Sequence, residues 1–76
     1  MNNMNSLKDL RQGQKAKVKS ILSTGSIRRR LLDIGLIEGT EVECLLKSPA
    51  GDPVAYLIRG AVIALRSEDS SNILIC

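Results

Sequence analysis

Polar and apolar residues alternate along most of this chain. In QKAKVKSIL, residues 14–22, Lys15, Lys17 and Lys19 alternate with Ala16 and Val18, the period-two pattern of a strand with one face in water. The alternation breaks at Ser20 and Ile21, which predicts a bulge or bend there. It resumes in TEVECLLK, residues 40–47, where Val42, Cys44 and Leu46 share one face and Glu41, Glu43, Leu45 and Lys47 the other. SPAGDP, residues 48–53, is dense in turn formers and reads as a hairpin loop. VAYLIR, residues 54–59, puts Val54, Tyr56 and Ile58 on one face, and Gly60 permits a tight reversal into AVIALR, residues 61–66. That run turns Ala61, Ile63 and Leu65 inward. SEDSSN, residues 67–72, is a polar loop or single turn, and ILIC, residues 73–76, is a last strand.

One segment has a different period. In STGSIRRRLLDIG, residues 23–35, Ile27, Leu31 and Ile34 fall at i, i+4 and i+7, one face of a helix. Arg28, Arg29 and Arg30 therefore fan away from that face. Ser23, Thr24 and Ser26 are capping candidates at its start. Gly35 ends it, because glycine takes the left-handed conformation without a side-chain clash, and Leu36 stands where such an end packs an apolar residue back on the last turn. Near the N-terminus, SLKDLRQG, residues 6–13, fits one helical or 3₁₀ turn capped by Ser6 and stopped by Gly13. Gly39, Gly51 and Gly60 each permit a turn.

The elements sum to a mainly β domain of about five short strands and one short helix inserted after the first strand. Short strands separated by turn signals predict a small closed β-barrel, with the last strand paired near the first so that little edge is exposed. Residues 1–5 read as a disordered N-terminus and 6–76 as a single domain. With 76 residues, the core is thin, since a domain this small buries only about 60% of its unfolded surface.

Composition narrows the chemistry. Tyr56 is the one aromatic residue, so the core is aliphatic and base-stacking recognition of single strands is disfavoured. The net charge of +3, from 11 basic and 8 acidic residues, is well mixed rather than gathered into a stripe. No apolar run approaches the ~18 residues that cross a bilayer, and the start lacks a signal-peptide pattern. A cytoplasmic location is expected. Histidine is absent, which removes the commonest general base and transition-metal ligand. Cys44 sits in an apolar alternation and Cys76 is the last residue, so neither a disulfide nor a four-ligand zinc site is expected. Glu41 and Glu43 read as solvated charge on a strand. These features predict no enzyme, no cofactor and no resident metal.

Two surfaces stand out instead. The arginine triplet offers forked donors to carboxylates on an acidic partner. The strands also leave Leu45, Ala55, Leu57, Val62 and Ala64 pointing outward, an apolar strip that predicts docking of a partner or a second copy. Arg28, Arg29, Arg30, Leu45 and Leu57 are the candidate contact residues.

The run RLLDIGLIEGTEVE, followed by SPAGDPVAYLIRG and IALR, resembles the FeoA family, and LKDLRQGQKAKVKSI fits the family's first strand region. The resemblance covers nearly the whole chain. It implies an SH3-like barrel with a helix inserted after the first strand, and a small cytosolic accessory protein of bacterial ferrous-iron uptake. Its implied partner is a FeoB-type membrane iron transporter, engaged at its cytosolic region, so that the membrane is met only through that partner. A similar domain ends metal-dependent repressors of the diphtheria-toxin-repressor type. Two alternatives accompany this reading: a metal-responsive regulatory module, and a nucleic-acid-binding domain working through Lys15, Lys17, Lys19 and the arginines.

Overall fold

The computed structural model describes residues 5–76. The chain forms β1 (Asn5–Ser6), a 3₁₀ turn (Leu7–Asp9), β2 (Lys15–Ile21), α1 (Gly25–Asp33), β3 (Glu41–Lys47), β4 (Val54–Ile58), β5 (Ala61–Leu65), the single turn α2 (Ser67–Ser70) and β6 (Ile73–Ile75). The strands make one antiparallel sheet in the order β1-β6-β2-β3-β4-β5. Residues 1–4 of the expected disordered N-terminus lie outside the described residues. Asn5, expected with them, pairs with Ile75.

The last strand does pair near the first: β6 lies between β1 and β2. The sheet does not close into the expected barrel, because β5 pairs only with β4 and so forms an open edge among the described residues. Strand β2 belongs to both halves of the sheet. Lys15, Ala16 and Lys17 pair with β3, whereas Val18, Ser20 and Ile21 pair with β6. The register shifts between Val18 and Ser20, a bulge just before the expected break. A bulge bends a strand and sharpens its twist, which lets one strand serve two sheet halves.

The core is aliphatic around one ring. Leu7, Leu36, Val42, Cys44, Tyr56, Ile58 and Ile73 are fully buried, and Leu10, Val18, Leu31, Val54, Leu65 and Ile75 nearly so. Leu46 departs from expectation. It was assigned to the inner face with Val42 and Cys44, yet it is 59% exposed. The cause is a second register shift, between Cys44 and Leu46. The extra residue reverses the phase of the alternation, so Leu46 stands opposite the outward Ala55. Ala61, expected inward, is exposed beside the Arg59–Gly60 turn. Both turn residues have positive φ, 51° and 85°, as a two-residue hairpin that matches strand twist requires.

Helix α1 ends as expected. The Leu36 N–H donates to the Leu31 carbonyl at 3.1 Å and the Gly35 N–H to that of Leu32 at 3.0 Å, the paired bonds of a Schellman end with its apolar contact between Leu31 and Leu36. The helix start differs. Thr24 is the cap residue, but neither it nor its serine neighbours makes a side-chain cap hydrogen bond. Gly25 enters the helix at φ 69°, and the Arg28 guanidinium donates to the Ile21 carbonyl at 2.9 Å, tying the first turn to the end of β2.

Gly35 is doubly constrained. Its φ is 96°, and a Cβ there would collide with Cδ of Arg59, whose side chain lies across the glycine. Gly35→Ala is expected to cost about 1–2 kcal/mol from the left-handed backbone alone, lowering Tm by roughly 5–15 °C in a domain of this size. Thermal melts check this. The double variant with Arg59→Ala should recover part of the loss, because only the collision is relieved.

Candidate partner-docking surface

The outward face of β3, β4 and β5 carries two cross-strand rows. Glu43, Leu57 and Val62 stand side by side, as do Leu46, Ala55 and Ala64. Val62 is 66% exposed, Ala64 is exposed, and Ala55 and Leu57 are half-buried. Apolar side chains thus cover most of one sheet face on a small domain, the composition of a contact surface. The strip forms as expected at Ala55, Leu57, Val62 and Ala64. Leu45 is half-buried and falls out of the rows at the bulge. Leu46 takes its place, which alternation alone could not reveal.

The arginine triplet divides between two surroundings. Arg28 is engaged at the Ile21 carbonyl. Arg28 and Arg29 together border a shallow depression with Gly25, Leu32 and Asp33. Arg30 faces a cleft of about 120 Å³ between α1 and the end of β5, whose walls include Ile27, Leu31, Ala64, Leu65, Arg66 and Asp69. Of the three, Arg30 alone is brought toward β5. Arg66 joins it there, a residue no sequence pattern singled out, because its neighbour across the cleft is 36 positions away (66 − 30).

Two of the three lysines in the β2 row are matched by acids. Lys15 stands opposite Glu43 and Lys17 opposite Glu41, and such opposite-charge pairs are mildly stabilising. Lys19 falls at the register shift of β2 and has no strand partner opposite it. Among the described residues, no group of three or more His, Cys, Asp or Glu is placed to hold a metal ion. Cys44 is buried and Cys76 exposed, both as free thiols.

The two titratable groups of the core favour their neutral forms. Burial pushes the Cys44 thiol above its ordinary value of 9.0, with Lys47 pulling the other way. Burial likewise pushes the Tyr56 hydroxyl above 10.0, against the neighbouring Ser70 side chain, which lowers it. A thiol so placed is a packing group rather than a nucleophile. Because both folded-state values lie above the unfolded ones, the unfolded chain ionises first as pH rises. This stabilisation is complete below the unfolded values and is lost as pH climbs through the folded-state values. Urea midpoints should hold level at neutral pH and fall above pH 9.0, and Cys44→Ala should delay the onset of that fall.

A family model for the FeoA domain matches residues 5–75. The Fe(2+) transport protein A/Fe(2+) transporter FeoB fusion protein of Porphyromonas gingivalis is 31% identical over 67 residues, which cover 88% of this chain and 8% of that protein. The chain thus spans less than a tenth of this curated relative's length. An FeoA-like protein of Clostridium acetobutylicum, solved by NMR, is 33% identical and superimposes with a TM-score of 0.88, over 100% of this chain and 88% of its own. The FeoA of Stenotrophomonas maltophilia, crystallised with zinc and described as a prokaryotic SH3 domain protein, is 27% identical with a TM-score of 0.83, over 93% of this chain and 88% of its own. The sheet and inserted helix are accordingly SH3-like, as expected, though open at β5.

Proposed function

This chain belongs to the FeoA family, and on that premise we propose that it is a non-enzymatic accessory protein of bacterial ferrous-iron uptake that docks on the cytosolic region of a FeoB-type transporter. The observation that carries this reading is the apolar outer face of Leu46, Ala55, Leu57, Val62 and Ala64. A solvated sheet face normally carries polar residues, so such a face calls for a partner. The relative in which an FeoA-like segment and FeoB share one chain supports a FeoB-type partner. No helix among the described residues is long and apolar enough to cross a membrane. Docking alters transport only if the domain binds two transporter states with different affinity. Coupling of this kind is typically about 1–3 kcal/mol.

Co-purification of the tagged chain with the FeoB-type transporter of the same cell, solubilised in detergent, tests this reading. The wild-type chain should retain the transporter, and Leu57→Glu, which places a charge at the centre of the apolar rows, should weaken retention at least tenfold while leaving the melt unchanged. Equal retention by Leu57→Glu would move the contact elsewhere, and no retention by the wild type would refute the partner.

A further inference from the structure

We infer that the free edge of β5 accepts an extended, acidic peptide segment as a seventh strand, with one of its carboxylates held between Arg30 and Arg66. This goes beyond the docking reading above, because it concerns the sheet edge rather than the sheet face and does not depend on which protein supplies the segment.

Main-chain geometry comes first. In a two-residue hairpin the flanking pair, here Ile58 and Ala61, exchanges both hydrogen bonds, and bonded and non-bonded pairs then alternate. Val62 and Ala64 are thus non-bonded pairs with Leu57 and Ala55, and their N–H and C=O groups point away from β4, toward the open edge. Natural sheets blunt such edges with lysine, proline, a bulge or an inward charge. Strand β5 reads Ala-Val-Ile-Ala-Leu and pairs with β4 in unbroken register. It carries none of those devices, α1 reaches only its Ala64–Leu65 end, and no described residue pairs with the edge, so it offers a template for strand addition.

Charge then selects the occupant. The cleft at the end of this edge is lined by Ile27, Leu31, Ala64 and Leu65 together with Arg30 from α1 and Arg66 just after β5. Asp69 is the one acid on its rim, leaving a net positive site. Two arginines lining one cleft beside an unpaired strand suit a carboxylate, to which each offers forked donors. A second copy of this chain is the weaker candidate. Its own β5 carries no carboxylate, and antiparallel self-pairing about Ile63 places Arg66 opposite Gly60 rather than opposite an acid.

The test uses the ¹⁵N-labelled full chain and a synthetic hexapeptide of alternating Val and Glu, blocked at both ends. A Val–Lys counterpart serves as the control. Saturable amide shifts are expected at residues 61–66 and 27–31, with the Lys peptide binding at least tenfold more weakly. Arg30→Gln and Arg66→Gln should each weaken the Glu peptide by about tenfold. Val62→Pro removes an N–H that faces the open edge, a position where folded edge strands tolerate proline. It should abolish binding, and Arg66→Gln reads out the same site without touching the backbone. Shifts confined to Leu57 and the outer face, equal binding of the two peptides, or no saturable shift would each overturn the inference. So would concentration-dependent shifts at β5 without peptide, which would assign the edge to a second copy. Because the peptide is synthetic, failure here leaves the co-purification result standing, and the reverse holds as well.

Discussion

Tyr56→Ala is expected to bring the domain to the brink of unfolding at 25 °C. Tyr56 is fully buried, and it is the one aromatic ring in the chain. Truncating a buried aromatic side chain costs about 3–5 kcal/mol through lost transfer energy and the cavity left behind. A chain of 76 residues has a total stability of only about 4–11 kcal/mol at the usual value per residue. The ring lies mid-strand in β4, and its hydroxyl donates to the Leu7 carbonyl across 49 positions of sequence, at 3.4 Å. The side chain thus joins the N-terminal turn to the centre of the sheet. Tyr56→Phe keeps the ring and loses only this long, weak bond, so it should cost about 1 kcal/mol or less. Urea titration followed by circular dichroism separates the two variants. A Tyr56→Ala chain with a wild-type midpoint would show that the aliphatic residues alone carry the core.

Leu31→Ala is the second large effect, about 2–5 kcal/mol. Leu31 is 3% exposed, and its carbonyl also accepts the Schellman bond from Leu36, its packing neighbour in the core. Ile27 is on the same helical face by periodicity but is 39% exposed, because it lines the cleft without reaching the core, whereas Leu31 does both. Ile27→Ala should therefore cost well under 1 kcal/mol, within the range of surface substitutions. Equal losses at the two positions would mean that the whole face is buried and that the cleft is closed in solution.

The contrast between Leu31 and Ile27 shows what periodicity could and could not reveal. Period-two alternation located β2, β3, β4 and β5, because each strand has one buried face and one outer face. It located the inward residues of β4 without error, since Val54, Tyr56 and Ile58 follow no bulge. It failed at Leu46, because one extra residue after Cys44 reverses the phase and leaves no mark in composition. Strand β1 was illegible, since two residues are too few to alternate. The helix end at Gly35 was legible because glycine there answers a backbone requirement. The helix start was legible in place, since Thr24 is the cap residue, but not in mechanism, because no hydroxyl there makes a capping bond and Arg28 of the first turn does the tethering. Expected closure of the barrel rested on short strands and the turn signals between them, and neither determines whether the two outer strands meet.

The candidate site was half legible for the same reason. The outward set Ala55, Leu57, Val62 and Ala64 follows from local alternation. The convergence of Arg30 and Arg66 follows from tertiary packing of α1 beside the end of β5, which no local pattern encodes. The arginine triplet looked like a unit in sequence, yet a helix distributes three consecutive side chains around most of a turn, and the structure separates Arg30 from Arg28 and Arg29.

Strand β2 contributes its first three residues to one half of the sheet and its last four to the other. Neither half can melt while the other stays ordered, since each would take the shared ribbon with it. The amide protons of Val18 and its neighbours should then exchange with solvent only through whole-molecule opening, and a load applied at the β5 rim is carried through to the chain's termini as by a single rigid tile.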